Sequence, residues 1–158
     1  MHSTLDIKDR LQSLIVNKET DYAKSIYKNA VIEYIDASIA NTEKKIIFEE
    51  SPICLGTAAL VPNQGDWFTV DIGDKSILIV RNNKTEISAY LNICSHRGAK
   101  LVEGSGTKAY AFKCPYHSWV YNLDGELKAR PRENAFEEIN KDQCSLQKFE
   151  LDNHQGFL

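Results

Sequence analysis

Two short stretches constrain this chain more than any others. "NICSHRGAKL" carries Cys94 and His96 with one residue between them, and "CPYHSW" carries Cys114 and His117 with two. Seventeen residues separate the pairs. Thiolate and neutral imidazole are both ligands for iron and zinc. A loop that offers one of each supplies half of a four-donor site, so the fold must bring two such loops to one point.

The flanking sequence says how. From about residue 50 onward, short β-rich runs alternate with turn residues: "WFTVDIG", "SILIVR", "EISAYLN", "AYAFK", "WVYNL", "ELKA" and "CSLQKFEL" each read as a strand. Gly73-Asp74, residues 82–84, residues 104–106 and Asp124-Gly125 read as turns. Asp124-Gly125 is a hairpin signal, since both residue types accept positive φ. The region is expected to be mostly antiparallel β. Both Cys/His pairs fall just past strand ends, 94–96 after "EISAYLN" and 114–117 after "AYAFK".

Residues 1–49 read differently, as a helical arm leading into a domain over residues 50–158. Ile7, Leu11, Leu14 and Ile15 recur at helical spacing. A second helix is expected after Asp21, through "YAKSIYKNAVIEYI". A third is expected in "NTEKKIIFEES", capped by Asn41 or Thr42 and ended by Pro52.

The 158 residues suit one domain with an extension and can bury a core without disulfides. A net charge of -3 announces no basic face, which argues against nucleic acid as a partner. No run approaches a membrane helix, and "MHSTLDIKDR" has no apolar signal core, so a cytoplasmic protein is expected. There the four cysteines stay reduced, which favours metal binding or burial.

Three readings of the constellation compete. Zinc accepts two cysteines and two histidines, but zinc fingers pair like with like, whereas each loop here is mixed. A Rieske 2Fe–2S cluster has one iron on two cysteines and the other on two histidines. If the irons lie along a line between facing loops, each loop must give one Cys and one His, as C-x-H and C-x-x-H do. The third reading makes the four residues merely structural.

"NICSHRGAKL…CPYHSWVYNLDGELKARP" resembles the Rieske domain of the α-subunits of aromatic ring-hydroxylating dioxygenases, the Rieske non-haem iron oxygenases. The resemblance lies in the C-x-H-R-G-A loop, the C-P-Y-H-x-W loop and the Y-x-L-D-G-x-L hairpin, and upstream in Pro62, Gly65, Asp66, Arg81 and Asn92. It implies a mainly β Rieske 2Fe-2S domain of antiparallel sheets with an N-terminal helical arm. It also implies that Cys94 and Cys114 hold the inner iron, and His96 and His117 the outer iron through their δ nitrogens. Around them, Gly98 allows tight backbone near the cluster or simply serves a turn, Tyr116 and Trp119 cover the cluster or only pack beside the β core, and Arg97 forms a salt bridge, docks a partner or is merely solvated. Tyr121 matches a tyrosine of the high-potential Rieske proteins, while Trp119 stands where those proteins carry a hydroxyl donor.

By the same resemblance, electrons arrive from a ferredoxin or flavin reductase and leave toward an oxygenase catalytic domain. That domain holds a mononuclear Fe(II), and the parent enzyme is a homotrimer. No catalytic residue for hydroxylation is expected within this chain. With His96 and His117 used, only His2 and His154 remain, and neither sits beside the carboxylate and second histidine that such an iron needs. A piece of a longer oxygenase is expected; the alternatives are a stand-alone Rieske-type ferredoxin and a zinc-binding structural module.

Overall fold

The computed structural model describes residues 4–158. His2, set aside above, lies outside the described residues. Two compact units divide the chain, one running to Ala40 and the other covering Asn41–Leu158.

In the first unit, helix α1 spans Thr4–Asn17, as the Ile7–Ile15 spacing predicts. The second expected helix does not form as a whole: only Ile32–Ile35 is helical (α2). Tyr22, Ile26 and Tyr27 are exposed, so this stretch has no buried apolar face, and a short helix without tertiary packing is marginal in water. The third helix, α3 (Ala37–Glu43), begins before Asn41 and crosses the unit boundary. Its cap is Asp36, whose Oδ1 accepts from the amides of Ser38 at 2.7 Å and Ile39 at 3.2 Å. The chain continues as a wider π-helical turn over Lys44–Glu49.

The second unit is the mainly β fold expected. Strands β1 (Trp67–Ile72), β2 (Lys75–Arg81), β3 (Ile87–Leu91), β4 (Ser105–Gly106) and β8 (Lys148–Phe149) form one sheet in the order β4-β1-β2-β3-β8. Strands β5 (Ala111–Lys113), β6 (Val120–Asn122) and β7 (Leu127–Ala129) form a second, in chain order. Every pairing is antiparallel. Residues 105–106, expected as turn, instead pair with Trp67 and Phe68. Of "CSLQKFEL", only Lys148 and Phe149 pair with β3.

Strand β2 is central and buried on both faces. Leu78 and Val80 point into a core shared with Tyr90, Phe112, Trp119, Tyr121 and Leu127. Ile77 and Ile79 face the opposite side, with Val61, Phe68, Ala89 and Leu158. This explains why "SILIV" reads as a continuous apolar run rather than an alternating one. Each fully buried Leu or Ile contributes on the order of 1.5–3 kcal/mol. The first core reaches the Cys/His loops, since Cys94 and Cys114 belong to it.

The entry to β1 is tied down by Asp66, which is buried. Its Oδ2 accepts from the Asn63 amide at 2.9 Å, and its Oδ1 from the Lys108 amide at 3.3 Å. The Asn63 amide bond, aided by Lys108, the Asn63 side chain and the Arg81 charge, outweighs burial and holds the carboxyl below its ordinary range. A carboxyl depressed in the folded state contributes stability above its unfolded pKa, and that stability is lost as pH falls through the folded value. Acid should therefore destabilise the wild type more steeply than Asp66→Asn below about pH 4. Thermal midpoints of both proteins across the acid range test this. Parallel slopes would show that Asp66 does not carry the acid sensitivity.

Candidate metal centre

The two Cys/His loops come from different sheets. The first follows β3; the second joins β5 to β6. They are the same backbone turn made twice. Cys94 donates its amide to Ala99 O at 2.8 Å and accepts at its carbonyl from the Gly98 amide at 2.9 Å. Cys114 does the same with Trp119 O at 2.7 Å and the Ser118 amide at 3.0 Å. The fifth residue of each turn takes positive φ, 71° at Gly98 and 60° at Ser118. Open space surrounds the Cβ position of Gly98. Glycine at positive φ suits the turn.

Asn92 anchors the first loop from below. Fully buried, it donates to Val102 O at 2.7 Å and accepts from the amides of Leu101 and Val102 at 3.3 Å. On the second sheet, Tyr121 is fully buried in β6, and its hydroxyl reaches across to the first loop. It lies 3.3 Å from Cys94 Sγ and accepts from the Ser95 amide at 3.1 Å.

The four predicted donors meet as two pairs. Cys94 and Cys114 are both buried, in the same core cluster. The imidazoles of His96 and His117 meet edge to face, centroids 4.6 Å apart. Both Nδ1 atoms are buried without a hydrogen-bond partner, although the rings stay partly exposed. Among the described residues, no three His, Cys, Asp or Glu side chains gather as a cage for one metal ion.

The electrostatics suit metal ligation. Burial, offset in part by Tyr121, pushes the Cys94 thiol up, so a thiolate here needs a cation beside it. Burial first, then the charges of His117 and Arg97, holds His96 below its usual range and keeps it in the neutral, ligating form. A buried nitrogen left unpaired costs about 1–3 kcal/mol, and a bound iron is the partner that would relieve it. Burial also raises Tyr121, and the contact with Cys94 adds to the rise.

The residues expected around the donors differ in exposure. Trp119 is buried and stacks on His96 at 4.8 Å with planes 8° apart. Tyr116 lies against His117 at 3.8 Å and is 61% exposed. Arg97 is exposed and acts on His96 through its charge. His154 is exposed, as expected. Phe136 and Arg130, which the sequence reading did not pick out, stand against His96 and Trp119 respectively. Phe136 left a faint trace as the lone aromatic in the acidic run "ENAFEE"; Arg130 left none, being indistinguishable in sequence from the exposed Arg132. A groove of about 660 Å³, lined by Phe48, Pro52, Ile72, Phe149 and Phe157 among others, includes none of the four donors. Among the described residues, no helix is long and apolar enough to cross a membrane.

Comparison with known proteins accords with this geometry. Residues 51–150 match the family described as Rieske [2Fe-2S] domain. The carnitine monooxygenase oxygenase subunit of Acinetobacter baumannii is 30% identical over 125 residues, covering 79% of this chain and 34% of that protein. The biphenyl 2,3-dioxygenase subunit alpha of Rhodococcus jostii is 30% identical over 126 residues, 79% of this chain and 27% of its own length. Among solved structures, a quaternary ammonium Rieske monooxygenase, described for carnitine oxidation by gut microbiota and inter-subunit electron transfer, superposes with a TM-score of 0.75. It shows 29% identity over 80% of this chain and 34% of that one. The chain thus spans about a third of the length of the first curated relatives it matches.

Proposed function

This chain belongs to the Rieske [2Fe-2S] domain family, and on that premise we propose that Cys94 and Cys114 hold one iron of its cluster as thiolates and that His96 and His117 hold the other through Nδ1. The observation that carries the assignment is the pair of buried, partnerless Nδ1 atoms beside a pair of buried thiols. When bound, the cluster supplies storage of a single electron at a potential above that of plant-type ferredoxins. The protein's own residues do the rest. Cys94 and Cys114 release their protons to bind. His96 and His117 keep part of each ring at the surface, where a redox partner can approach. Tyr121 places its hydroxyl against Cys94 Sγ, where a donated proton withdraws charge from the sulfur and favours reduction. Trp119 shields one face of His96 from water.

We assign this work to residues 50–158 and none of it to the arm at 1–49. The family match, which begins at residue 51, supports that boundary, although the compact unit itself starts earlier, at Asn41. In the parent oxygenase the domain takes electrons from a ferredoxin or flavin reductase. It passes them to a mononuclear Fe(II) on an oxygenase catalytic domain, in a homotrimer within the cytoplasm. The relatives' naming as oxygenase and dioxygenase subunits supports the acceptor, and the inter-subunit electron transfer described for the solved monooxygenase supports the oligomer. Similarity does not choose a substrate, since a relative named for carnitine and one named for biphenyl match this stretch at the same 30% identity over the same 79% of the chain.

Metal and sulfide analysis tests the assignment. The purified protein should be red-brown, with about two irons and two acid-labile sulfides per chain. One zinc and no sulfide would overturn it in favour of a structural zinc module.

A further inference from the structure

Arg130 follows β7, and its side chain is only 3% exposed. Its Nη2 donates to Phe136 O at 2.9 Å and to Ile139 O at 2.8 Å, and its Nε to Glu133 Oε1 at 3.1 Å. One side chain therefore grips the loop that carries Phe136 at three points. The guanidinium carbon also lies 5.2 Å from the Phe136 ring centroid and 5.9 Å from that of Trp119. Those two rings enclose His96. Trp119 lies flat on the imidazole at 4.8 Å, and Phe136 meets it edge-on at 5.8 Å. The rings also brace each other at 5.4 Å, close to perpendicular at 86°.

A buried cation is a poor choice for packing alone, since an apolar side chain of similar volume would fill the space without desolvating a charge. What an apolar side chain cannot do is hold two carbonyls and a carboxylate at once in a fixed fork. We propose that Arg130 is a positioning residue for His96: by tethering the 133–139 loop it presses Phe136 and Trp119 against the imidazole and fixes the plane in which that ring meets its iron. Its positive charge, shared with Glu133, also lies behind the histidine side of the site and favours the reduced form. The inference rests on the ligand assignment above.

The test uses cluster-loaded wild type, Arg130→Met and Arg130→Lys, with iron and sulfide measured in each. Arg130→Met should raise the rate of cleavage at Glu137 or Glu138 by a glutamate-specific protease roughly tenfold or more, because the loop loses charge-assisted hydrogen bonds. It should also broaden and shift the g-values of the reduced protein in electron paramagnetic resonance, and lower the reduction potential. Arg130→Lys keeps the charge but not the fork, so it should disturb the loop and the g-values while moving the potential less. A fully loaded Arg130→Met with wild-type g-values and potential overturns the proposal, even if its loop is cut faster, because that result describes packing alone. Should Arg130→Met fail to load, Phe136→Leu keeps the guanidinium and removes the edge-on ring; unchanged g-values there overturn the proposal as well. A wild type without iron and sulfide overturns the ligand assignment and this inference together, whereas a loaded wild type beside an indifferent Arg130→Met overturns this inference alone.

Discussion

Cys94→Ala and Cys114→Ala are each expected to yield a colourless protein with essentially no iron or acid-labile sulfide. The reason is the absence of a substitute. Of the other cysteines, Cys54 is exposed at the approach to the sheet, and Cys144 is buried in the core beside Leu146. Neither lies in a turn that presents a thiol to the histidine pair. Alanine also deletes the group that would neutralise a ferric charge, so the loss is of the whole cluster and not of one bond. Serine at the same positions offers an oxygen in nearly the same place and is the informative companion, since a faintly coloured Cys94→Ser would show the turn intact and only the donor altered. Iron and sulfide assays, with visible circular dichroism, decide the matter. A Cys→Ala variant that retains a full complement of both would remove that cysteine from the ligand set.

The second large effect lies away from the metal. Gly65→Ala should destabilise the fold by roughly 2–5 kcal/mol, combining the strain of an L-residue at positive φ with overpacking. Gly65 has φ of 80°, and an added Cβ would lie 2.3 Å from Ala109 O and 2.8 Å from Ala109 N. Both are backbone atoms, held in place because Ala109 itself donates to Gly65 O at 2.9 Å, so they cannot swing aside. The thermal midpoint should fall by on the order of 10 °C. Gly73→Ala is the control. It has φ of 59° but nothing within 4 Å, so only the strain of about 1–2 kcal/mol applies. Equal losses in the two variants would show that crowding at Ala109 plays no part.

The sequence was most readable where a local signal and a tertiary demand coincide. "SILIV", "WFTVDI" and "ISAYL" became three adjacent strands because their apolar residues have faces to bury against. The mixed Cys/His pairs could be read because metal donors carry their chemistry in the residue type itself. Legibility fell where partners are distant in sequence. Ser105 and Gly106 look like turn residues, yet they pair with β1 because the chain returns past it. Asp124 and Gly125 both accept positive φ by residue type, but only Gly125 takes it, at 79°. The Asn122 side chain accepts the amides of Asp124 and Glu126 and lets Asp124 remain in an ordinary conformation. The stretch after Asp21 has helical spacing, but spacing creates a helix only when something covers the apolar side. Arg130 illustrates the limit. Its importance comes from Phe136, Ile139 and Trp119 meeting around it, and no neighbouring residue in sequence announces that.

The twin turns at Cys94 and Cys114 bear on what a substitution can reach. Each is closed by its own backbone hydrogen bonds, with Asn92 and Tyr121 fastening the first to the sheets behind it. Those bonds belong to main-chain amides and carbonyls and to side chains outside the donor set. Exchanging a donor therefore changes the chemistry offered to a metal without redrawing the loop that offers it. Shape and reactivity are written into different atoms of the same six residues, so each can vary while the other is kept.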